Sequence, residues 1–368
     1  MRIPFINLKA QYDMIKAHVD QAIHKTLDEF RFIGGSQVKA FEEAFSKCIG
    51  VNHAIALGNG TDGLFVALKA VGVGPGHEVI TPAWSWISSA ETISLCGARP
   101  VFADVDPTYL TIDPESIERR ITKKTQAIVC VHLYGQVAPL EILGEICRRH
   151  KLALIEDCAQ GHLTRAGSAY AGSKGDVAAF SFYPTKNLGA YGDAGCVTTN
   201  DAAMAERMRR LANHGALNKN DHLIEGTNSR MDTLQAGILL AKLPFLQQWT
   251  DGRIRNANLY SALLKDVPQL KTPAVRPSSV HTFHLYVIRC QRRDDLKMHL
   301  ERHGIETMIH YPKALTSLPA YAYLHLSYQD YPVASQLENE VLSLPIYPEL
   351  EQEEIRYIAE KIQLFYNG

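Results

Sequence analysis

Residues 53–74, HAIALGNGTDGLFVALKAVGVG, join an apolar run of strand character to a helical pattern through a turn rich in glycine. Within this stretch, Gly58 to Gly63 match G-x-G-x-x-G, a turn whose glycines let the backbone approach a bound phosphate closely. A helix that begins directly after such a turn points its first N–H groups at the turn, where they attract anions. The stretch therefore predicts a strand, an anion-binding turn that includes the Thr61 hydroxyl, and a helix.

Strand-like and helical runs alternate from about residue 50 to residue 200. Several of the strand-like runs are apolar throughout, which is typical of strands covered on both faces. Alternation of this kind favours an α/β fold with a mostly parallel sheet. The predicted strands are HAIAL, EVITPA, RPVFADV, TQAIVCVHL, LALIEDC, VAAFSF and AGCVTT.

The pattern changes after a long helical stretch at residues 232–267, which is interrupted near Pro244. Beyond it, one strand-like run, HTFHLYVIRC, is combined with the helical runs RDDLKMHLERHG and EQEEIRYIAEKIQLFYN. We expect the long helix to lead out of the first domain and the later residues to form a smaller α+β region. The predicted division places residues 1–248 in a large domain and residues 249–368 in a small C-terminal domain.

The composition excludes several classes of protein. The 368 residues carry a formal net charge of −1, so no general attraction to nucleic acid or to membranes is expected. No apolar run approaches the roughly 18 residues of a membrane span, and the first residues lack the apolar core of a signal peptide. The seven Cys form no C-x-x-C pair and no H-E-x-x-H motif occurs. We therefore expect a cytoplasmic protein without a disulfide framework or a bound metal.

A lysine follows the sixth predicted strand in the segment FSFYPTKNLGAYGDAG. Lys186 lies in a loop with three glycines after it, and Ser181 stands at the strand end five positions earlier. A lone loop lysine is usually a solvated surface group, but these glycines let the backbone pass close to a ligand. A lysine desolvated in such a site loses its proton readily and can act as a Schiff-base nucleophile.

An acidic residue stands at the end of the fifth predicted strand, in KLALIEDCAQGH. Asp157 and Gln160 lie at the carboxyl end of this strand, where open α/β sheets bind ligands, although a helix N-cap is an alternative role for the aspartate. Asp157 and Lys186 are 186 − 157 = 29 residues apart, which leaves room for one intervening connection, so both can face one ligand. A carboxylate beside a pyridinium nitrogen and a lysine that forms an imine are the groups that pyridoxal phosphate requires.

The glycine turn by itself would also fit a dinucleotide-binding oxidoreductase. That interpretation needs an acid about 20 residues further on, at the end of the next strand, to bind the ribose. The nearest acid, Glu78, precedes the strand EVITPA instead of following it. After that strand come Trp84 and Trp86, whose indoles can stack on a flat cofactor ring but are more often core residues. The sequence therefore disfavours NAD as the cofactor.

Taken together, these segments resemble the sugar-nucleotide aminotransferases of the DegT–StrS group, which are fold-type I pyridoxal-phosphate enzymes. The resemblance covers nearly the whole chain, from IPFINLKAQY through GTNSRMDTLQAGIL to LSLPIYP. It implies a large domain with a mostly parallel seven-stranded sheet between helices, and a smaller C-terminal α+β domain. Two departures are Ala194, where the family commonly has Gly, and the indoles of AWSW, where phenyl rings are frequent.

The resemblance also implies roles for individual residues. Lys186 would form the Schiff base with pyridoxal 5'-phosphate, and Asp157 would pair with the pyridine nitrogen. Trp86 would stack on the ring, and Gln160 would lie beside the ring's substituents. The implied phosphate ligands are Gly60, Thr61, Ser181 and, from the neighbouring subunit of a homodimer, Asn228. The residues implied to meet the nucleotide sugar are Arg230, His310 and Tyr311.

By the same resemblance, the enzyme transfers an amino group to the keto-sugar of a nucleoside-diphosphate sugar, in the biosynthesis of amino sugars and surface polysaccharides. L-Glutamate is the expected donor. The segments IPFINL and EGTNSRMDTLQAGIL favour a 3-keto over a 4-keto sugar, and the nucleotide stays open between thymidine and uridine diphosphate. A dehydratase with the same cofactor is disfavoured because such enzymes carry His where Lys186 stands. A regulatory member without catalysis is disfavoured by the intact Lys186, Asp157 and Ser181.

Overall fold

The computed structural model describes residues 2–367. The α-helices are α1 Leu8–Glu29, α2 Ser36–Ile49, α3 Gly60–Ala70, α4 Ser88–Leu95, α5 Pro114–Glu118, α6 Leu140–His150, α7 Ala202–Ala212, α8 Thr233–Lys242, α9 Leu246–Leu264, α10 Arg293–Arg302, α11 Pro332–Glu340 and α12 Gln352–Asn367. The strands are β1 His53–Leu57, β2 Glu78–Pro82, β3 Arg99–Ala103, β4 Thr125–Val131, β5 Ala153–Asp157, β6 Arg165–Ala166, β7 Ala169–Tyr170, β8 Val177–Ser181, β9 Gly195–Thr199, β10 Leu270–Lys271, β11 Ser279–Val280, β12 Tyr286–Cys290 and β13 Val341–Leu344. Within residues 2–367, none of the helices combines the length and the hydropathy needed to cross a bilayer.

The main sheet has seven strands in the order β1-β9-β8-β5-β4-β2-β3. The five strands from β8 to β3 run parallel to their neighbours, whereas β9 runs antiparallel to both β1 and β8. These are the seven strands that the apolar runs predict, so the mostly parallel α/β sheet is confirmed. A parallel sheet of this kind gathers the carboxyl ends of its strands along one edge.

Helices cover both faces of the sheet, which explains why its strands are apolar throughout. Val129 and Ile155 pack on one face, in a cluster that includes residues of α3 and α7. The residues just before them, Ile128 and Leu154, pack on the opposite face with residues of α6. Because side chains alternate along a strand, burial on both faces requires apolar residues at successive positions.

The opening turn forms as predicted. Asn59 caps α3, and its side-chain oxygen accepts a hydrogen bond of 2.8 Å from the Asp62 backbone N–H. A Cβ atom at Gly60 would lie 2.6 Å from the Ser181 Cβ, closer than carbon atoms can approach. Glycine at this position therefore lets the start of α3 lie directly against the end of β8.

The predicted interruption at Pro244 is confirmed, because α8 and α9 are separated by a 3-10 turn at Leu243–Phe245. Proline lacks the N–H that a continuous helix would use there. The predicted boundary between residues 248 and 249 falls inside α9, and it stays a prediction. The start of the chain joins the C-terminal region, since Ile3 pairs with Ile305 and packs in the same cluster as residues of α9, β12 and α12.

Candidate active site

A cavity of about 730 Å³ lies at the carboxyl edge of the main sheet. Nine of the predicted site residues line it: Gly60, Thr61, Trp86, Asp157, Gln160, Ser181, Lys186, His310 and Tyr311. The remaining two, Asn228 and Arg230, are exposed and are not part of this lining. The fold thus brings together predicted site residues from positions 60 to 311. Asn228 and Arg230, predicted to bind the phosphate and the nucleotide sugar, lie elsewhere on the same chain.

The loop that carries Lys186 is held by contacts on both sides of the lysine. The Lys186 backbone N–H donates to the Tyr183 carbonyl at 2.8 Å. Gly189 packs so closely on Pro184 that a Cβ atom there would lie 2.2 Å from the Pro184 carbonyl oxygen. The buried Lys242 of α8 donates a hydrogen bond of 2.5 Å from Nζ to the Gly189 carbonyl. The loop backbone is therefore fixed around the lysine.

Burial shifts the charge of the Lys186 side chain toward the neutral amine. It lowers the pKa of Lys186 to about 8, although the charge of Asp157 acts in the opposite direction. Within residues 2–367, no group forms a hydrogen bond or an ion pair with Lys186 Nζ. A lysine in this state supplies an appreciable fraction of nucleophilic amine near neutral pH.

Asp157 is the last residue of β5, and its side chain is almost completely buried, with 5% of the residue exposed. Its Oδ1 accepts a hydrogen bond of 3.0 Å from the Ala159 N–H. Burial raises the pKa of Asp157, although that hydrogen bond and the charge of Lys186 oppose the rise. Turns follow β5 as far as β6, so the alternative role as a helix N-cap is wrong. The buried carboxyl group is suited to a ligand that brings a positive charge.

Gln160 connects two tyrosines at the cavity wall. Its Oε1 accepts from the Tyr134 backbone N–H at 2.6 Å, and its Nε2 donates to the Tyr311 hydroxyl at 3.0 Å. The Tyr134 hydroxyl in turn donates to the His310 carbonyl at 2.5 Å. These bonds position His310 through its backbone carbonyl and Tyr311 through its side-chain hydroxyl at the cavity wall.

The two tryptophans after β2 have different environments. Trp84 is fully buried, and its Nε1 donates to the Tyr134 hydroxyl at 2.7 Å. Trp86 lines the cavity with 59% of the residue exposed, and its ring centroid lies 5.8 Å from that of Tyr311. Trp84 is therefore a core residue, and Trp86 offers an open aromatic face to the cavity.

The anion-binding end of the cavity contains more hydroxyl groups than the turn alone supplies. The Thr61 hydroxyl lies 2.8 Å from the hydroxyl of Ser88, whose own hydrogen is donated to Glu91 at 3.0 Å. Ser181 contributes a third hydroxyl from the end of β8. Together with the N-terminus of α3, these groups form a polar cradle that suits a phosphate.

Comparison with known proteins agrees with this geometry. A family model described as the DegT/DnrJ/EryC1/StrS aminotransferase family matches residues 13–363. The chain belongs to this aminotransferase family. It is an enzyme of the transaminase class, and the predicted family and its fold-type I architecture are confirmed.

Individual relatives within the family are similar along their whole length. The chain is 41% identical to a pleiotropic regulatory protein of Geobacillus stearothermophilus, covering 100% of this chain and 99% of the relative. It is 39% identical to the dTDP-3-amino-3,4,6-trideoxy-alpha-D-glucose transaminase of Streptomyces venezuelae, covering 98% and 96%. The crystal structure of S. venezuelae DesV in complex with a ketimine intermediate superposes with a TM-score of 0.98, at 39% identity over 100% and 99% of the two chains.

The aminotransferase cavity also contains residues that sequence reasoning did not select. His284 lines it and is bonded through Nδ1 to the Oδ1 of Asn187, at 3.2 Å. Tyr183 and Asp193 line it as well. Locally, His284 is only one residue of the strand-like run HTFHLYVIRC. Its hydrogen-bond partner, Asn187, lies 97 residues away, so no local pattern indicates its place in the cavity.

A second cluster of polar groups lies at the carboxyl ends of β4 and β5. His132, Glu156 and Cys158 place potential metal-ligand atoms within 4.8 Å of one another. However, Glu156 accepts a hydrogen bond from His132 Nε2 at 2.8 Å, and His132 Nδ1 accepts from the Ala138 N–H. The carboxylate of Glu156 also accepts from the backbone N–H groups of Gly172, Lys174 and Gly175. These internal partners occupy both ring nitrogens of His132 and the carboxylate of Glu156, so these two residues are already engaged within the protein and the cluster does not resemble a metal site.

Proposed function

We propose that this enzyme uses pyridoxal 5'-phosphate to transfer the amino group of L-glutamate to a 3-keto nucleotide sugar, and that it works as a homodimer. The observation that carries the proposal is the meeting of Lys186, Asp157 and the Gly60–Thr61 turn in one cavity. Each of these groups matches a different part of the cofactor, and no two of them are close in the sequence.

The residues of the cavity fit the cofactor at both ends. The cradle of Thr61, Ser88 and Ser181 at the start of α3 suits the phosphate. At the other end, the buried Asp157 carboxyl suits a protonated pyridine nitrogen, because a nearby cation would favour its charged form. Trp86 offers its open indole face to a flat ring between these two ends.

When bound, the cofactor supplies an electron sink that stabilises negative charge at the carbon undergoing transfer. The side chains supply the rest of the chemistry. Lys186 Nζ, as a neutral amine, would bond to the aldehyde carbon of the cofactor, and once the amino donor has displaced it, it would move a proton at the substrate carbon as a general base and acid. Asp157 would keep the ring nitrogen protonated, and the pKa of Lys186, lowered to about 8, would leave an appreciable fraction of neutral amine for both tasks.

The keto-sugar substrate is supported by the named activity of the S. venezuelae relative, a transaminase for a 3-amino sugar linked to dTDP. The motifs that favour a 3-keto sugar point in the same direction. His310 and Tyr311, both fixed through Tyr134 and Gln160, would contact the sugar. The cavity of about 730 Å³ has room for a substrate beside the cofactor.

A homodimer explains the position of the two predicted ligands that lie outside the cavity. Asn228 and Arg230 are exposed on the chain that carries them, and the Arg230 side chain donates a hydrogen bond of 3.1 Å to the Asn213 Oδ1. In a dimer with shared active sites, these two residues would reach the phosphate and the sugar in the neighbouring subunit. The exposed apolar residues Phe30, Phe32 and Ile33, which join α1 to α2, would suit such an interface.

The two half-reactions, each followed by the absorbance of the cofactor, test the proposal. Glutamate added to the enzyme–cofactor complex should convert the visible absorbance of the Lys186-bound cofactor to that of the amine form. Keto-sugars linked to thymidine or uridine diphosphate should then restore the original spectrum, with 3-keto sugars faster than 4-keto sugars. Failure of every amino acid to change the spectrum would contradict an aminotransferase.

The same experiment separates the alternatives. A regulatory protein without catalysis would bind cofactor but would not respond to glutamate. A dehydratase would release water from the sugar, and its product would lack a new amino group. Cycling of the spectrum by glutamate and a 4-keto sugar alone would correct the proposed position of the carbonyl while leaving the reaction class intact.

A further inference from the structure

His284 occupies a fixed position in the wall of the cavity. The Leu285 N–H donates to the Tyr134 carbonyl at 3.2 Å, and the His284 carbonyl accepts from the buried Arg253 at 3.3 Å. The neighbouring Thr282 N–H donates to the Gly135 carbonyl at 3.0 Å. The backbone around His284 is thus tied to the turn that follows β4, and its ring is tied to the loop that carries Lys186 through Asn187.

The hydrogen-bond network determines which ring nitrogen of His284 carries the proton. Asn187 Nδ2 donates to the Thr282 carbonyl at 3.4 Å, so the Asn187 Oδ1 is free to accept. His284 Nδ1, which lies 3.2 Å from that oxygen, must therefore be the donor. In the neutral imidazole this leaves Nε2 as the nitrogen with a free lone pair.

The free nitrogen is available to a ligand. His284 lines the cavity, and within residues 2–367 its Nε2 has no hydrogen-bond partner and is not among the completely enclosed polar atoms. Burial and the positive charges of Lys186 and Arg253 hold the pKa of His284 well below its ordinary value, so the ring is neutral across the physiological range. A fixed, neutral imidazole in a cavity wall can only accept a hydrogen bond at its free nitrogen.

We propose that His284 Nε2 accepts a hydrogen bond from a hydroxyl group of the keto-sugar and so selects substrates that carry a donor at that position. This inference rests on the proposed function. Lys186 also lines the cavity and can donate, but it forms no hydrogen bond with His284 in this structure, so the Nε2 acceptor is left for the substrate. His284 thereby becomes a substrate-binding residue, positioned by Asn187.

Two substitutions of His284 distinguish the role of Nδ1 from the role of Nε2. His284→Asn keeps a polar group near the position of Nδ1, where it can still bond to Asn187, but removes the acceptor at the position of Nε2. His284→Gln places an amide oxygen close to the position of Nε2. The exposed His325, whose left-handed backbone conformation Asn accepts readily, provides the control His325→Asn.

The two half-reactions are measured for each variant. His284→Asn should raise the KM for the keto-sugar about 3- to 10-fold, the loss expected of one hydrogen bond, and change the glutamate half-reaction by less than about twofold. His284→Gln should fall between the wild type and His284→Asn, and His325→Asn should match the wild type. Equal slowing of both half-reactions in His284→Asn would overturn the proposal, because it would show that His284 acts by positioning Lys186.

Binding without turnover gives an independent measurement. The aminated sugar product is titrated by calorimetry into the amine form of the enzyme, where no amino group can be transferred. The Kd should rise for His284→Asn by the same factor as the KM. Deoxy analogues then identify the hydroxyl, because the analogue that lacks it should bind wild type and His284→Asn equally well. A Kd unchanged by His284→Asn would overturn the proposal.

The outcomes distinguish this proposal from the proposed function. If the wild-type enzyme aminates no keto-sugar, the proposed function fails, and the role of His284 fails with it. If the wild type aminates a keto-sugar and His284→Asn does so with an unchanged KM, only the role of His284 is wrong.

Discussion

Asp157 and Lys186 face one cavity because β5, which ends at Asp157, and β8, which precedes the loop of Lys186, are hydrogen-bonded neighbours in which Asp157 pairs with Ala179. The loop after β8 brings Lys186 into the cavity that Asp157 also lines. Burial shifts both groups toward their neutral forms, raising the pKa of Asp157 and lowering that of Lys186. A cationic ring nitrogen on a ligand would stabilise the charged form of Asp157, and an electrophilic carbon on the same ligand would react with the neutral amine of Lys186.

Lys186→Ala should lower turnover by at least about 100-fold, because it removes both the anchoring amine and the group that moves the proton. The purified variant should also lack the visible absorbance of cofactor bonded to the protein. The exposed surface residue Lys123 provides the control Lys123→Ala, which should retain the activity and the spectrum of the wild type. Full transaminase activity in Lys186→Ala would refute the assigned nucleophile.

The reactivity of Lys186 should depend on pH with a midpoint near its pKa of about 8. Because a lowered pKa leaves more free amine at a given pH, reductive methylation of Lys186 in the cofactor-free protein should rise from pH 7 to pH 9 and then level off. Asp157 raises the pKa of Lys186, so Asp157→Asn should move this midpoint to lower pH. Peptide mass spectrometry measures the modification at each pH, and a midpoint near the ordinary lysine value would contradict a desolvated lysine.

In the loaded enzyme, Asp157→Asn should retain cofactor and turn over much more slowly.

Gly60→Ala should disturb the cradle for the phosphate. Its Cβ atom would meet the Ser181 Cβ at 2.6 Å, so β8 and the start of α3 must separate, at an expected cost of about 1–3 kcal/mol in the free energy of unfolding. Pyridoxal phosphate should then raise the melting temperature less than it does for the wild type.

Gly74 provides the matched control, because a Cβ atom there would find no other atom within 4 Å. Gly74→Ala should therefore leave stability and cofactor binding close to wild type. An equal loss of cofactor affinity in both variants would show that the close approach of Gly60 to Ser181 is unimportant.

The parts of the fold that the sequence predicts are those fixed by local pattern. Apolar runs identify the seven strands because both faces of the sheet are covered, and Pro244 marks the break between α8 and α9 because proline lacks the N–H. The helix α1 gives no clear sequence signal, since only Ile15, Val19 and Thr26 of its 22 residues are buried and its amphipathic pattern is weak. The antiparallel direction of β9 also depends on pairing that no local pattern reveals.

The same distinction holds for the site. The sequence predicts Lys186, Asp157 and the Gly60 turn because they stand at or just after the carboxyl ends of predicted strands. Lys242 was not found, because its role depends on a hydrogen bond to Gly189, 53 residues away. His284 was missed for the same reason. Such contacts are set by the packing of distant elements and leave no periodic or spacing signal in the sequence.

Subunit mixing tests whether Asn228 acts across a dimer interface. Lys186→Ala and Asn228→Ala should each be strongly impaired as purified homodimers. When the two variants are co-expressed, a mixed dimer contains one site with an intact Lys186 from one chain and an intact Asn228 from the other. Random mixing should therefore restore about a quarter of the wild-type activity.

The double variant Lys186→Ala/Asn228→Ala, co-expressed with the wild type, is the control. Its mixed dimers contain no intact site if Asn228 acts in trans, because the wild-type lysine then faces a substituted partner residue. If Asn228 acts within its own chain, the result reverses, since the mixture of single variants stays inactive and the control retains one working site per mixed dimer. Activity measured per purified mixed dimer, with each chain carrying a different affinity tag, decides between the two arrangements.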